Sequence, residues 1–378
     1  MKRVKYLSKL KSKDIAGKTF FVRIDLNVDA ASPADMFRLD AIIPTFKLLL
    51  RSGARIVTAS HRGRPETYST AESLAVFAPL ISKRVGADVD FISAYRIGAA
   101  VKAIRASDAS IILMENMRFF RGETENDPSF ARALASCADM YVNDAFPVSH
   151  RKAASVSAIT KFLPSYAGLR VESELCHLDA AMKRVKHPFT LVIGGAKTSD
   201  KIGVIDYFKN KADAILLGGG PANTFFAAKG VSVGSSLYDE GAVKIAKKNL
   251  LLGSLYLPSD TITSSGKILD VGLKTSNEYR KIILASNSVV WNGPLGLFQK
   301  ERFARGTLAM WRAVMELAKR KPDALIVIGG GETVASMALL KTRRKLPENI
   351  FISTGGGAML EYLSGKKLPG ISALQNAK

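Results

Sequence analysis

The chain is poor in the residues most often recruited for metal binding and proton transfer, with 2 cysteines and 4 histidines in 378 residues. Cys137 and Cys176 are too widely spaced for a CxxC-type metal pair and make no disulfide framework, which points to a reducing, cytoplasmic setting. With so few Cys and His residues, no zinc cluster or nucleophilic triad suggests itself. No stretch approaches the ~18 uninterrupted apolar residues of a membrane span, so no membrane partner is expected. The opening segment MKRVKYLSKLKSKDIAGK is basic but lacks an apolar central region and a small-residue cleavage site, so it does not read as a signal peptide. The expectation is a soluble intracellular protein of ordinary composition, 47% hydrophobic and 23% charged.

Negative charge is also scarce. Lys and Arg number 55 against 33 Asp and Glu, a formal net charge of +22, with a pI near 9.9. Nucleic acid, a strongly anionic small substrate, or a solvated basic surface without a partner would each account for this. The cations are spread along the chain with short clusters such as KTRRK at 341–345, and no RNP-type aromatic motif, zinc finger or basic zipper appears. An obligate nucleic-acid partner is therefore not expected.

Short β-rich apolar runs alternate with helical patterns from end to end. Strands are expected at 19–26, 55–60, 89–93, 110–115 and 139–144, then at 189–194, 214–219, 254–260, 288–293, 324–330 and 350–354. Nearly continuous apolar runs suit parallel strands buried on both faces. That many strands exceed one doubly wound domain of usual size. The fold class predicted is α/β: two doubly wound Rossmann-like domains with parallel sheets, joined by a connecting helix and hinge. The helix is expected at 171–188, a charged amphipathic stretch that ends at a Pro, between domains at 1–170 and 189–362.

Ligands of such sheets bind at the carboxyl ends of strands, and the unusual residues fall there. The first half offers Asp25, Asn27, His61, Arg64, Arg118 and Arg151, with Arg38 nearby. Arginine forks bind carboxylate and phosphate oxygens bidentately, so this set suits a small, hydroxylated, multiply anionic metabolite. Any one of these arginines alone would read as a solubilising surface residue, and Asp25 alone as a loop cap. The second half offers GGAKTSDK (194–201), GGGPANTF, WNGPLGLF, GGGETVA and STGGGA. Glycine turns that enter helices let backbone N–H groups approach phosphates. GGAKTSDK is not the P-loop of nucleotide hydrolases, since Ala196 precedes Lys197 and Leu191 stands where that motif places its first Gly. Glu332, at the start of its helix, is a candidate to hold Mg²⁺ that bridges nucleotide phosphates.

The shortage of general bases is informative. A kinase acting on an alcohol needs a base for its proton, whereas a carboxylate acceptor is already ionised at neutral pH.

At this point the residues resemble the phosphoglycerate kinase family, nearly throughout the chain and in order. The resemblance rests on VRIDLNV (22–28), RLDAIIPT (38–45), SHRGRP (60–65), MENMRFFRGE (114–123), NDAFPVSHR (143–151), GGAKTSDKIGVI (194–205), WNGPLGLF, IGGGET and STGGGAMLEYLSGKKLPGISAL (353–374). It implies a 3-phosphoglycerate/1,3-bisphosphoglycerate site formed by Asp25, Asn27, Arg38, His61, Arg64, Arg118 and Arg151. It implies an ATP/ADP site formed by Gly195, Lys197, Lys201, Gly219, Gly220, Asn292, Pro294, Gly296, Gln299, Gly329, Gly330, Gly331, Glu332 and Thr333, with Mg²⁺ at Glu332. By the same analogy Arg38 and Lys197 stabilise the phosphoryl group in flight, with the backbone of Gly355, Gly356 and Gly357. The family further implies a monomer, hinge closure, and a C-terminal segment (363–378) packed on the N-terminal domain. The chain departs from the pattern at Gln299, where Glu is usual, and at Glu332, where Asp is usual.

Overall fold

Strands form where the sequence offers a run without charge: all five residues of FTLVI and all four of AILL are buried, as a sheet covered on both faces requires. The structure is a computed structural model that describes residues 3–30, 36–341 and 345–377. The chain divides into two compact units, one of residues 1–175 and 367–378, the other of residues 176–366. The change of unit falls within the helix Leu169–Lys183.

In the first unit β1 (Thr19–Arg23), β2 (Arg55–Ala59), β3 (Val89–Ile92), β4 (Ile111–Met114), β5 (Met140–Asn143) and β6 (Ser165–Ala167) form one sheet in the order β3-β4-β2-β1-β5-β6. Every pairing in it is parallel. Phe20 and Val22 of β1 pack with Leu39, Phe46, Leu49, Phe77 and Ile81 in the core on one face. The helix Pro369–Asn376 belongs to this unit, where Gly370 N–H donates to the Ser149 carbonyl at 2.8 Å.

In the second unit β7 (Phe189–Ile193), β8 (Ala214–Leu217), β9 (Leu255–Tyr256), β10 (Thr261–Ser264), β11 (Lys267–Val271), β12 (Ser288–Asn292), β13 (Leu325–Gly329) and β14 (Ile350–Ile352) form two sheets. The parallel sheet runs β14-β13-β12-β7-β8-β9, and β10 and β11 pair as an antiparallel hairpin. The helix Arg305–Arg320 shows why such segments dock. Its buried residues Gly306, Thr307, Met310, Trp311, Ala313, Val314, Leu317 and Ala318 recur at helical spacing and form one apolar stripe.

The architecture is the predicted α/β pair with two additions and two contractions. β6 and the β10–β11 hairpin lie in segments that the apolar-run reading left without strands. The expected strand 254–260 shrinks to two residues, because Pro258 has no N–H for a ladder. The expected helix 171–188 ends at Lys183, five positions before Pro188. The segment 31–35 and residues 342–344 of KTRRK lie outside the described residues.

Strand order reverses at β1/β5 in the first sheet and at β7/β12 in the second. A crevice opens at the carboxyl ends of the strands at each such switch point.

Candidate functional site

The first crevice is a basin of cations built on a buried frame. Asn116, fully buried, receives Arg62 N–H at 3.1 Å and Arg118 N–H at 3.0 Å on Oδ1, and its Nδ2 donates to the carbonyls of Arg62 and Glu72. One amide thus fixes the loop after β2, which carries His61 and Arg64, against the turn that carries Arg118. A cavity of 190 Å³ is lined by Arg23, His61, Arg118, Arg151 and Lys152, among others. Burial and the neighbouring Arg151 lower the Arg118 pKa, and burial with Arg64 and Arg23 lowers that of Arg151. Cations that disfavour one another without a ligand form a preorganised anion site. His61, 4% exposed, is pushed down to about 2 by burial and then by Arg23, Arg118, Arg151 and Arg38. Its ring is therefore neutral and has no role as a base near neutral pH.

Asp25, Asn27 and Arg38 form a second cluster outside the lining of that cavity. Arg38 Nη2 pairs with Asp25 Oδ2 at 2.5 Å, and Nη1 donates to the Asn27 carbonyl at 2.9 Å. Asn27 Oδ1 accepts from Gly63 N–H at 2.9 Å. Arg64 is exposed on the loop between the two clusters. The basin includes one residue absent from the sequence reading, Arg23, the last residue of β1 and only 2% exposed. A lone Arg that ends an apolar strand was its only signal.

The second crevice is made by loops that approach too closely for side chains. A Cβ on Gly194 would lie 2.2 Å from the Pro294 carbonyl oxygen, one on Gly220 2.1 Å from that of Ala196, and one on Gly293 2.1 Å from that of Gly194. Backbone bonds bind the same loops: Gly195 N–H to Pro294 O at 2.6 Å, Gly219 N–H to Leu295 O at 3.0 Å and Gly220 N–H to Gly195 O at 2.8 Å. Thr333, fully buried, accepts Gly293 N–H at 2.7 Å and ties in the loop after β13. A Cβ at Gly329 would meet Met359 Sδ at 2.0 Å. These glycines therefore serve loop-to-loop packing. Of the STGGGA turn, Gly355 N–H donates to Ser353 Oγ at 3.0 Å, and Gly356, at φ 51°, begins the helix Gly357–Leu363.

The resulting cavity of about 510 Å³ is lined by Gly195, Gly219, Gly220, Pro294, Gly296, Gln299 and Glu332 of the predicted residues, within the size range of small-molecule sites. Lys197, Lys201, Asn292, Gly330, Gly331 and Thr333 are not in its lining. Asn292 is buried behind Gly330, its Nδ2 without a hydrogen-bond partner among the described residues. Lys201 is 7% exposed, and its Nζ would sit 3.4 Å from a Cβ on Gly195. Burial lowers its pKa, against Asp200 and Glu332, which raise it, while Lys197 adds to the lowering. Lys197 itself is exposed.

One wall went unread in the sequence. Ile268, Leu269 and Val271 of the hairpin, with Phe226 and Leu237, give the cavity an apolar side, and Leu237 is 62% exposed, a surface that a planar base would cover. Asp270, from the same hairpin, accepts Gly306 N–H and Val271 N–H, both at 2.9 Å, and is pushed up to about 6 by burial.

Two switch-point crevices, one lined with guanidinium groups and one with a glycine floor and an apolar wall, give this α/β protein two places suited to anionic ligands. Comparison with known proteins gives the family. A profile described as Phosphoglycerate kinase matches residues 10–366. The chain is 40% identical over 403 aligned positions to phosphoglycerate kinase 1, chloroplastic, of Arabidopsis thaliana, covering 99% of this chain and 82% of that one. It is 39% identical to the cytosolic phosphoglycerate kinase 3 of the same plant, covering 97% and 98%. Among solved structures, phosphoglycerate kinase from Coxiella burnetii superposes with a TM-score of 0.82 at 32% identity, over 99% of this chain and 100% of that one. The enzyme from Pyrococcus horikoshii gives 0.85 at 28% identity, over 98% of each. The chain belongs to the phosphoglycerate kinase family.

Proposed function

We propose that the chain catalyses reversible phosphoryl transfer between 1,3-bisphosphoglycerate and ADP, giving 3-phosphoglycerate and ATP. The observation that carries this reading is the basin in which Arg23, Arg118, Arg151 and a neutral His61 converge on one small cavity. A multiply anionic ligand satisfies those charges. In the direction of ATP consumption, an oxygen of the 3-phosphoglycerate carboxylate attacks the terminal phosphorus as its bond to the bridging oxygen of ADP breaks. The attacking group is already ionised, so no base is needed, in keeping with a His61 that cannot serve as one. Arg38 and Lys197 are assigned to the charge of the transferring group. The glycine floor receives the nucleotide phosphates, the apolar wall the base, and Gln299 the ribose. Direct transfer further requires the units to close during turnover and to exclude water.

The donor set fits a magnesium ion carried on the nucleotide. The cavity offers the Glu332 carboxylate, and among the described residues no group of three His, Cys, Asp or Glu side chains could hold an ion unaided. Phosphate oxygens with Glu332 would hold Mg²⁺, which neutralises phosphate charge when bound.

We read the protein as a cytoplasmic monomer. Its two cysteines are free, and no described helix is long and apolar enough to cross a membrane.

The test is a coupled assay of 3-phosphoglycerate-dependent ATP consumption by the purified chain at moderate salt. Turnover that requires both substrates is expected. No turnover, together with tight RNA binding, would overturn the reading.

A further inference from the structure

Arg23 is among the largest fully buried side chains of the protein, and each donor on its guanidinium that the structure accounts for meets a fixed partner. Nε donates to Ser155 Oγ at 2.9 Å. Nη1 donates to the Ile24 carbonyl and, at 3.5 Å, to that of Ala59. Nη2 lies 3.3 Å from His61 Nδ1. Ser155 is held in turn: its Oγ donates to Glu123 Oε1 at 2.6 Å, its N–H to Glu123 Oε2 at 2.8 Å, and its carbonyl accepts from Tyr141 Oη at 2.8 Å. Glu123 is 2% exposed, Ser155 and Tyr141 fully buried. The result is a continuous buried chain, Glu123 to Ser155 to Arg23 to His61, that ends at the cavity.

An arginine has donors only, so the ring nitrogen facing Nη2 must carry a lone pair. In a neutral imidazole the other nitrogen then bears the proton. Among the described residues, the charged groups that act on the ring are Arg23, Arg118, Arg151 and Arg38, all cations, and Glu123, which shares the cavity lining, is engaged by Ser155. None supplies an acceptor that would pull the proton back to Nδ1. We infer that Arg23, aligned by Ser155 and Glu123, is a positioning residue that holds His61 in the Nε2–H tautomer, so that the ring offers a neutral hydrogen-bond donor to the anion in the basin. The inference deepens the proposed substrate reading and rests on it for the identity of the anion. It explains why an arginine of the cavity wall is buried with its donors engaged by protein groups: besides its charge, it sets the direction of the neighbouring ring.

The tautomer is directly observable by nitrogen NMR of the imidazole-labelled full-length chain, with only 4 histidines to assign and His61→Gln to identify the resonance. An unprotonated Nδ1 and a protonated Nε2 are expected in the ligand-free protein between about pH 5 and 8. A proton on Nδ1, or a charged ring in that interval, would overturn the inference. Ser155→Ala, small enough to preserve the fold, should mix the tautomers and raise the KM for 3-phosphoglycerate about tenfold with kcat nearly unchanged, the effect of one misdirected hydrogen bond. A tautomer unmoved in both Ser155→Ala and Glu123→Gln would also overturn it. The substrate reading is judged separately. If 3-phosphoglycerate leaves the Nε2 resonance of the wild type in place, that reading fails while the ligand-free spectrum still decides the tautomer.

Discussion

Lys201 Nζ donates to the backbone carbonyl of Lys197 at 2.8 Å, so one lysine of GGAKTSDK anchors the loop that presents the other. Lys201 is buried beside Gly195, and Lys197 is exposed. Four residues in sequence therefore separate two different environments.

Lys197→Ala should accordingly lower kcat by about a hundredfold with a small change in nucleotide KM, because an exposed point charge acts on charge that develops only during transfer. Lys201→Ala should do the reverse and raise nucleotide KM about tenfold or more through loss of the loop anchor and of the proposed phosphate contact. Steady-state kinetics with ATP as the varied substrate separate the two. The same KM-to-kcat pattern in both variants would contradict the division.

Much of this was legible in the chain itself, for identifiable reasons. Strands such as FTLVI are written as uninterrupted apolar runs because both faces are covered, and their pairing places the loops that hold His61, Arg118, Lys197 and Glu332. The hairpin of β10 and β11 was missed because it is half-exposed, with burial patterns of partly covered residues and little hydrophobic signal. Its turn was readable: Ser265 and Gly266 both have positive φ, 49° and 71°, the two-residue turn suited to a hairpin. β6 is three residues after a Pro, too short to stand out. Arg23 was overlooked for the opposite reason. A charge at the end of an apolar strand reads as its solvent-facing limit, and only the fold shows it buried beside His61.

Gln299 lines the nucleotide cavity from an exposed position, so replacing it should alter binding without disturbing the core. Gln299→Glu supplies a charged acceptor for a ribose hydroxyl, and charge-assisted bonds are about twice as strong as neutral ones. Nucleotide KM should fall several-fold, by about 3 to 10, with kcat retained. Titration of ADP binding by calorimetry gives an independent check, and an unchanged affinity in both measurements would remove Gln299 from ribose recognition.

Arg38 uses both ends of its fork, on Asp25 Oδ2 and on the Asn27 carbonyl. Lysine has the charge but not the planar fork. Arg38→Lys should therefore lose both alignment and transfer rate, with kcat down by about a hundredfold, while thermal unfolding changes less than in Arg38→Ala because lysine keeps a positive charge beside the buried Asp25 carboxylate. Near-normal kcat in Arg38→Lys would show that charge alone suffices and would move the transfer role away from this side chain.

Asp144, 1% exposed, accepts the N–H groups of Arg170 and Val171 on Oδ1 at 2.8 and 3.3 Å, while its Oδ2 is buried without a hydrogen-bond partner among the described residues. Burial pushes its carboxyl up to about 6, against the opposing pull of Thr45, those amides and Arg170. Burial likewise pushes Asp270 up to about 6. A carboxyl raised in the folded state binds its proton more tightly there than in the unfolded chain. Its contribution to stability is therefore complete below about pH 4 and is lost as pH rises through about 6. Over that window these two groups should make stability fall with rising pH, opposite to the trend from paired surface carboxylates. Asp144→Asn keeps the Oδ1 acceptor for the helix and removes a charge whose burial outweighs the pull of its neighbours. The variant should be at least as stable as wild type at pH 7.5, by up to a few kcal/mol, and should show a weaker loss of stability between pH 4 and 6. Denaturant midpoints at those pH values decide it: an Asp144→Asn chain with a markedly lower midpoint at pH 7.5 would mean that the ionised carboxylate stabilises the helix it caps.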